Sequence, residues 1–215
     1  YRMCIILRHY RINALFVYDG CAREEKKETI ELRNQKRESV WCEIVKYEKM
    51  LDGERDKMER RRLLNLISEM KRKVRGVNKD DIDKSKKLLE YCGMNYLVSE
   101  KEADDVCAAL CRNNIVYGVM SNDTDMFAYG CGRILKHFNL TTHEVEFYNL
   151  ENVLYNLHIN YDDFRVLCVL SGTDYNFTDK NIFYYYDNYK KYSRSKSDDK
   201  YTEWLLRNKS ISNQV

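Results

Sequence analysis

The chain has 215 residues, which is long enough for one domain with a substantial core. No apolar run reaches membrane-spanning length, and no signal peptide is visible. The net charge is only +3 although 33% of the residues are charged, which indicates segregated charge rather than a uniformly basic DNA-coating protein. The first residue is Tyr1 rather than Met, and we expect that the N-terminus is missing.

The eight cysteines are scattered along the chain, and none of them forms a C-x-x-C motif. Cys107 and Cys111 lie at i,i+4 spacing on one predicted helix, but no second Cys/His pair completes a zinc site. This usage predicts reduced, buried thiols in an intracellular protein.

The first predicted elements are a helix over residues 2–10 and a short buried strand over Ala14–Tyr18. Asp19 and Gly20 follow directly after this strand. An acid at a strand end suits the ligand crevice of an open α/β sheet, whereas Asp-Gly is also a common turn dipeptide. Both interpretations of Asp19 stay open at this point.

A densely charged stretch follows, with long helices predicted over residues 24–50 and 54–75. Its apolar stripe is narrow, which predicts a helical pair that projects from the core. The pattern fits equally well a solvated helical hairpin and a basic lid over an anionic polymer. The cations that support the second interpretation are Lys26, Lys27, Arg33, Lys36, Arg37, Arg60, Arg61, Arg62, Lys71, Arg72, Lys73 and Arg75.

A helix over 79–92 and a strand over 94–98 lead into an acidic stretch. Ser99 and Glu102 have the spacing of a capping box for a helix whose apolar face is Val106, Ala109 and Leu110. Residues 115–120 form a continuous apolar run, which is typical of a buried parallel strand. The chain then turns polar at once, over residues 121–125.

The remaining pattern predicts one helical turn over 126–130 and a hairpin of edge strands over 133–138 and 144–148. Helices follow over 149–157 and 161–170, then over 182–192 and 201–206. The second of these helices ends in Ser171-Gly172-Thr173-Asp174. The spacing of His137, His143 and His158 suggests neither a metal site nor a catalytic triad.

Acids therefore stand at the ends of four separate elements, namely Asp19, Glu102 with Asp104, Asp123 with Asp125, and Asp174. Gathered in one crevice, they would repel one another unless a positive group lay between them. Mg²⁺ or Mn²⁺ is the economical counter-ion, because both prefer carboxylate oxygens. The set is similar to a two-metal phosphodiesterase site, in which two ions about 3.5–4 Å apart clamp the attacking and leaving oxygens.

Four motifs in this order resemble those of the flap-endonuclease/XPG family of structure-specific 5′ nucleases. They are Val-Tyr-Asp-Gly at 17–20, Glu-Ala-Asp-Asp-Val-Cys-Ala-Ala-Leu at 102–110, Ser-Asn-Asp-Thr-Asp at 121–125 and Leu-Cys-Val-Leu-Ser-Gly-Thr-Asp-Tyr at 167–175. The resemblance covers about residues 7–175 and implies an α/β fold, a twisted and mostly parallel sheet flanked by helices. This is a PIN-like 5′ nuclease core with an inserted helical arch.

The resemblance also implies roles for single residues. Two divalent ions, Mg²⁺ or Mn²⁺, would be held by Asp19, Glu102, Asp104, Asp123, Asp125 and Asp174. Lys26 and Arg33 would be the basic pair that steers the scissile phosphate. Residues 23–79 would form the arch that a single-stranded 5′ end passes, with Lys27, Lys36, Arg37, Arg72 and Lys73 contacting DNA.

Two departures from the family qualify this expectation. Family members begin with an earlier strand that carries another metal-site Asp, so residues 1–175 are expected to be a core that lacks its first strand. Residues 176–181 contain no glycine where the family has a Gly-rich helix-turn-helix, so 176–215 is expected to be a degenerate C-terminal helical DNA-binding region. Family members from large DNA viruses and some protists depart in a comparable way.

The resulting expectation is Mg²⁺-dependent hydrolysis of DNA near single-strand/duplex junctions, in replication or repair. Two alternatives remain: a nucleic-acid-binding module that has lost catalysis, and a ribonuclease of the related PIN-like fold. The expected protein is a monomer without membrane contact, in the nucleus or at a viral replication site. A sliding clamp is a candidate partner, although residues 210–215 show no clamp-binding peptide.

Overall fold

The computed structural model describes residues 1–21, 26–173, 178–195, 197 and 199–208. The chain divides into two compact units, one formed by Tyr1–Ala22 with Tyr96–Val215 and the other by Arg23–Asn95. None of the helices in the described ranges is both long enough and apolar enough to cross a membrane.

The first unit contains five short strands and seven helices within its described residues. The strands are β1 (Leu15–Tyr18), β2 (Asn95–Val98), β3 (Val119–Met120), β4 (Arg133–Lys136) and β5 (Glu146–Asn149). The helices are α1 (Arg2–His9), α5 (Ala103–Arg112), α6 (Asp125–Ala128), α7 (Leu150–Leu157), α8 (Tyr161–Leu170), α9 (Ile182–Ser195) and α10 (Tyr201–Arg207).

The described strands form two small sheets rather than one. β1 pairs with β2, and the second sheet has the order β3-β4-β5. β3 and β4 are parallel, with Val119 opposite Ile134, and β4 and β5 are antiparallel, with Ile134 opposite Tyr148. The antiparallel pair confirms the predicted hairpin.

Two apolar clusters hold this unit together. Ala108, Cys111, Val119, Met126, Cys131 and Ile134 pack between α5 and the three-stranded sheet. The other cluster joins α7 to α10 through Leu150, Ile159, Phe164, Leu167, Tyr185, Tyr189, Tyr201 and Leu205. Because the clusters meet at Phe127, which packs against both, α6 links the acidic loop after β3 to the C-terminal helices.

The second unit is a helical hairpin followed by a third helix: α2 (Lys27–Gly53), α3 (Lys57–Val74) and α4 (Lys79–Tyr91). Ile44, Ile67 and Val74 form the buried contact between α2 and α3. Of the apolar residues expected to face inward from the second helix, Leu63 and Ile67 are buried, whereas Met58 and Leu64 are exposed. Lys71 Nζ lies 2.6 Å from Glu48 Oε1 and ties the two helices together on the surface.

The structure corrects three expectations about single elements. Residues 115–118 are not part of a strand, and Ile115 and Tyr117 are 69% and 70% exposed. Tyr117 stays at the surface because its ring stacks on Phe147 and lies under the guanidinium of Arg133. β1 is only partly buried, and Ala108 and Cys111 rather than Val106, Ala109 and Leu110 are the buried residues of α5.

All eight cysteines are free thiols, as expected, but only some of them are buried. Cys4, Cys111 and Cys131 are buried, whereas Cys21 and Cys42 are exposed. The prediction of buried thiols is therefore wrong for these two residues.

Candidate metal and nucleic-acid site

The first group of acids surrounds the beginning of α5. Glu102 is the N-cap residue of this helix, and its side chain is only 7% exposed. Asp104 and Asp105 lie in the first turn, where negative charge interacts favourably with the helix dipole. Asp19 reaches the same turn from the end of β1, because its Oδ1 accepts the backbone N–H of Ala103 at 2.8 Å.

The helix start differs from the expected capping box. Ser99 is not the N-cap, because α5 begins three residues later than a Ser99 cap requires. Its hydroxyl instead donates to the carbonyl oxygen of Glu102 at 3.0 Å and accepts the N–H of Lys101 at 3.2 Å. The acceptor for the first helical N–H comes from Asp19, a residue distant in sequence.

The second group of acids lies in the loop after β3. Ser121 Oγ accepts the N–H of Asp123 at 3.1 Å, and Asp123 Oδ1 accepts the N–H of Asp125 at 2.9 Å. Asn122 Oδ1 accepts the N–H of His137 at 2.8 Å, which attaches this loop to the end of β4. The loop is therefore folded by its own side chains, as expected for a short Asx-type turn that starts a helix.

The pKa values of two thiols are raised in part by the negative charges of these acids. Burial raises the pKa of Cys107, and the negative charges of Asp104 and Asp19 raise it further. Burial, followed by the charge of Asp125, raises the pKa of Cys168 to about 11. The charges of Asp104 and Asp19 therefore both affect the thiol of Cys107 on α5, whereas the charge of Asp125 affects the thiol of Cys168 on α8. Helix α8 ends directly before residues 171–173.

Carboxylate oxygens are the donor atoms that a hard divalent cation prefers. Within the part of the chain that the structure describes, however, no three or more His, Cys, Asp or Glu side chains form a group that could hold a metal ion. Asp174, the last of the expected ligands, lies outside the described residues. The structure thus brings Asp19 to the helix start that carries Glu102 and Asp104. It places Asp123 in the loop after β3 and Asp125 at the first position of α6.

The expected basic residues lie in the second unit. Lys26 is the N-cap residue of α2 and is half-buried, and Arg33 is exposed on the same helix. Lys36, Arg37, Arg72 and Lys73 are all exposed, whereas the side chain of Lys27 lies outside the described part of the chain. Both the solvated hairpin and the basic lid require cations that are exposed in this way.

Three residues outside the predicted site also shape this region: Gly20, Ser99 and Asn122. The N–H of Gly20 donates to Lys101 O and Asn122 Oδ1 accepts the N–H of His137, so both contacts join segments distant in sequence. The hydroxyl of Ser99 acts locally, on Glu102 O. The Asp-Gly dipeptide was the only signal for Gly20, and it suggested a turn instead.

Comparison with known proteins decides the family. The profile of the XPG I-region matches residues 93–174. Over 174 residues the chain is 32% identical to flap endonuclease 1 of Encephalitozoon cuniculi, and the match covers 80% of this chain and 47% of that protein. Together these matches support a nuclease of the flap-endonuclease/XPG family.

Other family members match at similar levels. Flap endonuclease 1-A of Oryza sativa is 33% identical over 167 residues, covering 76% of this chain and 41% of that protein. Flap endonuclease 1 of Cryptosporidium parvum is 30% identical over 178 residues, covering 76% and 34% respectively. The chain therefore spans less than half the length of these curated relatives. Nucleases of the flap-endonuclease/XPG family are generally dependent on divalent metal ions.

Solved structures confirm the predicted fold class. The catalytic core of Rad2 in complex with DNA substrate matches with a TM-score of 0.63 at 24% identity, covering 99% of this chain and 64% of that chain. Flap endonuclease-1 from Methanococcus jannaschii matches with a TM-score of 0.58 at 20% identity, covering 96% and 65%. At these identities the likeness establishes the α/β nuclease-core fold.

Proposed function

We propose that this flap-endonuclease/XPG family member is a structure-specific 5′ nuclease that hydrolyses DNA phosphodiesters near single-strand/duplex junctions, in replication or repair. The observation that carries the proposal is the spatial attachment of Asp19 to the helix start that bears Glu102 and Asp104. These are motif acids from distant parts of the sequence. Identity of about 30% to flap endonucleases across three quarters of the chain supports the same activity.

We propose that Glu102, Asp104, Asp123, Asp125 and Asp174 hold two divalent cations, Mg²⁺ or Mn²⁺, and that Asp19 belongs to the same site. When bound, such cations neutralise charge on the phosphate and make water a stronger acid. The protein's own contribution is to concentrate negative charge at two element ends. The burial of Glu102 and the hydrogen bond from the Asp125 N–H to Asp123 Oδ1 restrict the positions of these two carboxylates.

Lys26 and Arg33 are proposed to bind the scissile phosphate. A cation beside a phosphoryl group stabilises the negative charge that develops there. Exposed cations on α2 and α3, including Lys36, Arg37, Arg72 and Lys73, are proposed to contact the DNA backbone, together with Lys27. Binding through these residues would weaken with rising salt, because each phosphate contact releases condensed counter-ions.

The proposed assignments also include a monomeric protein, a sliding clamp as a candidate partner, and a location in the nucleus or at a viral replication site. Residues 1–175 are proposed to be the nuclease core and 176–215 the C-terminal DNA-binding region. Analytical ultracentrifugation and binding to purified clamp would test the first two assignments.

Cleavage of a labelled 5′-flap DNA is the direct experiment. We expect the protein, in its full natural length, to cleave near the junction with Mg²⁺ and to be inactive with excess EDTA. The double variant Asp123→Ala, Asp125→Ala is expected to lose cleavage by at least about 10³-fold while still binding the DNA. Full cleavage by that variant, or none by the unaltered protein, would refute the proposal.

A DNA-binding protein without catalysis is the second candidate. It is favoured by the finding that the described side chains do not by themselves assemble three metal ligands. This candidate predicts salt-sensitive binding of flap DNA with no turnover at any Mg²⁺ or Mn²⁺ concentration. Parallel assays on single-stranded RNA distinguish the ribonuclease alternative, which requires cleavage of RNA in preference to the DNA flap.

A further inference from the structure

Strand β5 lies at the edge of the three-stranded sheet, because the described strands of that sheet have the order β3-β4-β5. The N–H of Leu150 donates to Gly132 O at 2.9 Å, and Tyr148 and Glu146 occupy the alternate positions of the same register. Hydrogen-bonded and non-hydrogen-bonded pairs alternate in an antiparallel ladder, so the N–H and C=O of Phe147 point away from β4. β5 also contains neither the lysine nor the proline that commonly protects a sheet edge from further pairing.

An ordered aromatic surface lies beside this edge. Phe147 and Tyr117 are 50% and 70% exposed, and their rings stack at a centroid distance of 6.4 Å. Arg133 fixes Tyr117, because its Nε donates to Tyr117 O and its guanidinium lies 4.8 Å from the centre of the Tyr117 ring. The Nη2 of Arg133 also donates to Asn114 Oδ1 at 3.0 Å. A ligand would therefore meet rings that are already positioned, which reduces the entropy lost on binding.

The charge around β5 is acidic. Glu144, Glu146 and Glu151 are all exposed on β5 or within two residues of it. Of the two cations on β4, Lys136 is only 8% exposed, and Arg133 is engaged by Tyr117 and Asn114. The edge therefore attracts cationic groups and repels a polyanion such as DNA. Pairing between two copies of β5 would place the Glu146 carboxylates of both copies on one face of a continuous sheet, which like-charge repulsion disfavours.

We propose that β5, with the Tyr117–Phe147 ring pair, binds an extended basic segment of a partner protein, which adds a strand to the sheet. The segment's residue opposite Phe147 shares the face of that ring, so an apolar side chain there packs on the two aromatic residues. The residues on either side of it point to the other face, where Lys or Arg meets Glu146. The recognised pattern is thus an alternation of basic and apolar residues.

This binding surface is separate from the proposed nuclease site. Tyr117 precedes β3 and Asp123 follows it, so the ring pair and the acidic loop lie at opposite ends of that strand. The proposal therefore does not depend on the proposed function.

Labelled peptides test the proposal on the unaltered protein by fluorescence anisotropy at low salt. A short peptide in which Lys alternates with Val is expected to bind at least about tenfold more tightly than the same peptide with Glu in place of Lys. N-methylation of the Val residues, whose amides would pair with Phe147, is expected to abolish binding. The bound Lys peptide is expected to slow hydrogen exchange of the Phe147 amide by at least about tenfold.

Two variants locate the binding surface. Glu146→Gln keeps an acceptor for the Tyr148 hydroxyl but removes the charge, and it is expected to weaken binding of the Lys peptide by about three- to tenfold. Phe147→Thr keeps a strand-forming residue without the ring, and it is expected to weaken binding by at least about tenfold. Asp162→Asn and Tyr155→Ala are the matched controls, because Asp162 and Tyr155 are exposed on helices α8 and α7.

Several results would overturn the proposal. They are equal binding of the Lys and Glu peptides, undiminished binding of the N-methylated peptide, and no binding of any peptide at about 1 mM. A dimer in analytical ultracentrifugation that Phe147→Thr dissociates would instead assign the edge to a second copy of the chain. Binding of labelled oligo-dT that Phe147→Thr abolishes would assign it to single-stranded nucleic acid.

Discussion

Asn122 and His137 are joined by a hydrogen bond of 2.8 Å between Asn122 Oδ1 and the backbone N–H of His137. The bond extends the β3–β4 pairing, in which the N–H of Ser121 donates to the carbonyl oxygen of Leu135 at 3.0 Å. The loop that carries Asp123 and Asp125 is thereby attached to the neighbouring strand. A side chain outside the proposed ligand set thus contributes to the placement of two proposed metal ligands.

Replacing Asn122 with Ala is expected to lower the free energy of unfolding by about 1 kcal/mol, because one intramolecular hydrogen bond is lost. It is also expected to raise the Mg²⁺ concentration for half-maximal cleavage. Asn156→Ala is the control, since Asn156 is also exposed and its Nδ2 donates within α7, to Asn152 O. Urea denaturation and Mg²⁺ titration check both effects, and identical results for the two variants would contradict the attachment.

Gly130 and Tyr161 form a close contact that links α6 to α8. The hydroxyl of Tyr161 donates to Ala128 O at 2.9 Å, and a Cβ on Gly130 would lie 2.6 Å from that hydroxyl. Gly130 also has φ +81°, a backbone conformation that disfavours other residues. We expect Gly130→Ala to cost about 1–2 kcal/mol and Tyr161→Phe about 1 kcal/mol.

The double variant tests whether the two effects share a cause. Phe lacks the hydroxyl that an alanine Cβ would meet, so the double variant is expected to be more stable than the sum of the single changes predicts. Urea denaturation of the four proteins measures the coupling energy. Strict additivity would show that the steric contact is unimportant.

The beginning of α4 has a reciprocal capping box. Asn78 Oδ1 accepts the N–H of Asp81 at 2.8 Å, and Asp81 Oδ2 accepts the N–H of Asn78 at 3.3 Å. Asn78→Ala is expected to destabilise the helix by about 1 kcal/mol, whereas Asn78→Ser, which keeps an acceptor, is expected to be nearly neutral. Thermal denaturation followed by circular dichroism checks this difference, and equal losses in both variants would argue against the cap.

The raised pKa of Tyr201 makes the free energy of unfolding depend on pH in the alkaline range. Burial, followed by the charge of Asp163, raises the pKa of Tyr201 above its ordinary value near 10. The unfolded chain therefore loses this proton first, so the stabilisation is complete below pH 10 and is lost as pH rises through the higher pKa of the folded protein. The free energy of unfolding should fall as pH rises above about 10.

Tyr201→Phe is expected to be less stable at neutral pH, because the hydroxyl donates to Tyr185 O, but to show a shallower loss above pH 10. Tyr91→Phe is the control, since Tyr91 is 90% exposed. Urea denaturation at several pH values between 8 and about 11 provides the slopes. A slope for Tyr201→Phe as steep as that of the control would exclude Tyr201 as the cause.

Local patterns in the sequence predicted most of the helices and identified the acids proposed for the metal site. The predicted helix over 161–170 coincides with α8, whose N-cap Asn160 accepts the N–H of Asp163 at 2.9 Å. Helices are predictable in this way because their hydrogen bonds and their apolar faces connect residues three and four positions apart. The motifs at 102–110 and 121–125 likewise identified acids that the fold places at a helix start and in a loop after a strand.

Tertiary structure alone decided which groups complete these elements. Residues 115–118 have the apolar composition of a strand, but a strand requires hydrogen bonds from a neighbour, and the described pairing reaches only Val119 and Met120. The first turn of α5 could accept a cap from any sequence distance, and Asp19 rather than Ser99 provides it because Gly20 lets two backbones approach. Contacts of this kind depend on three-dimensional proximity, which residue spacing does not encode.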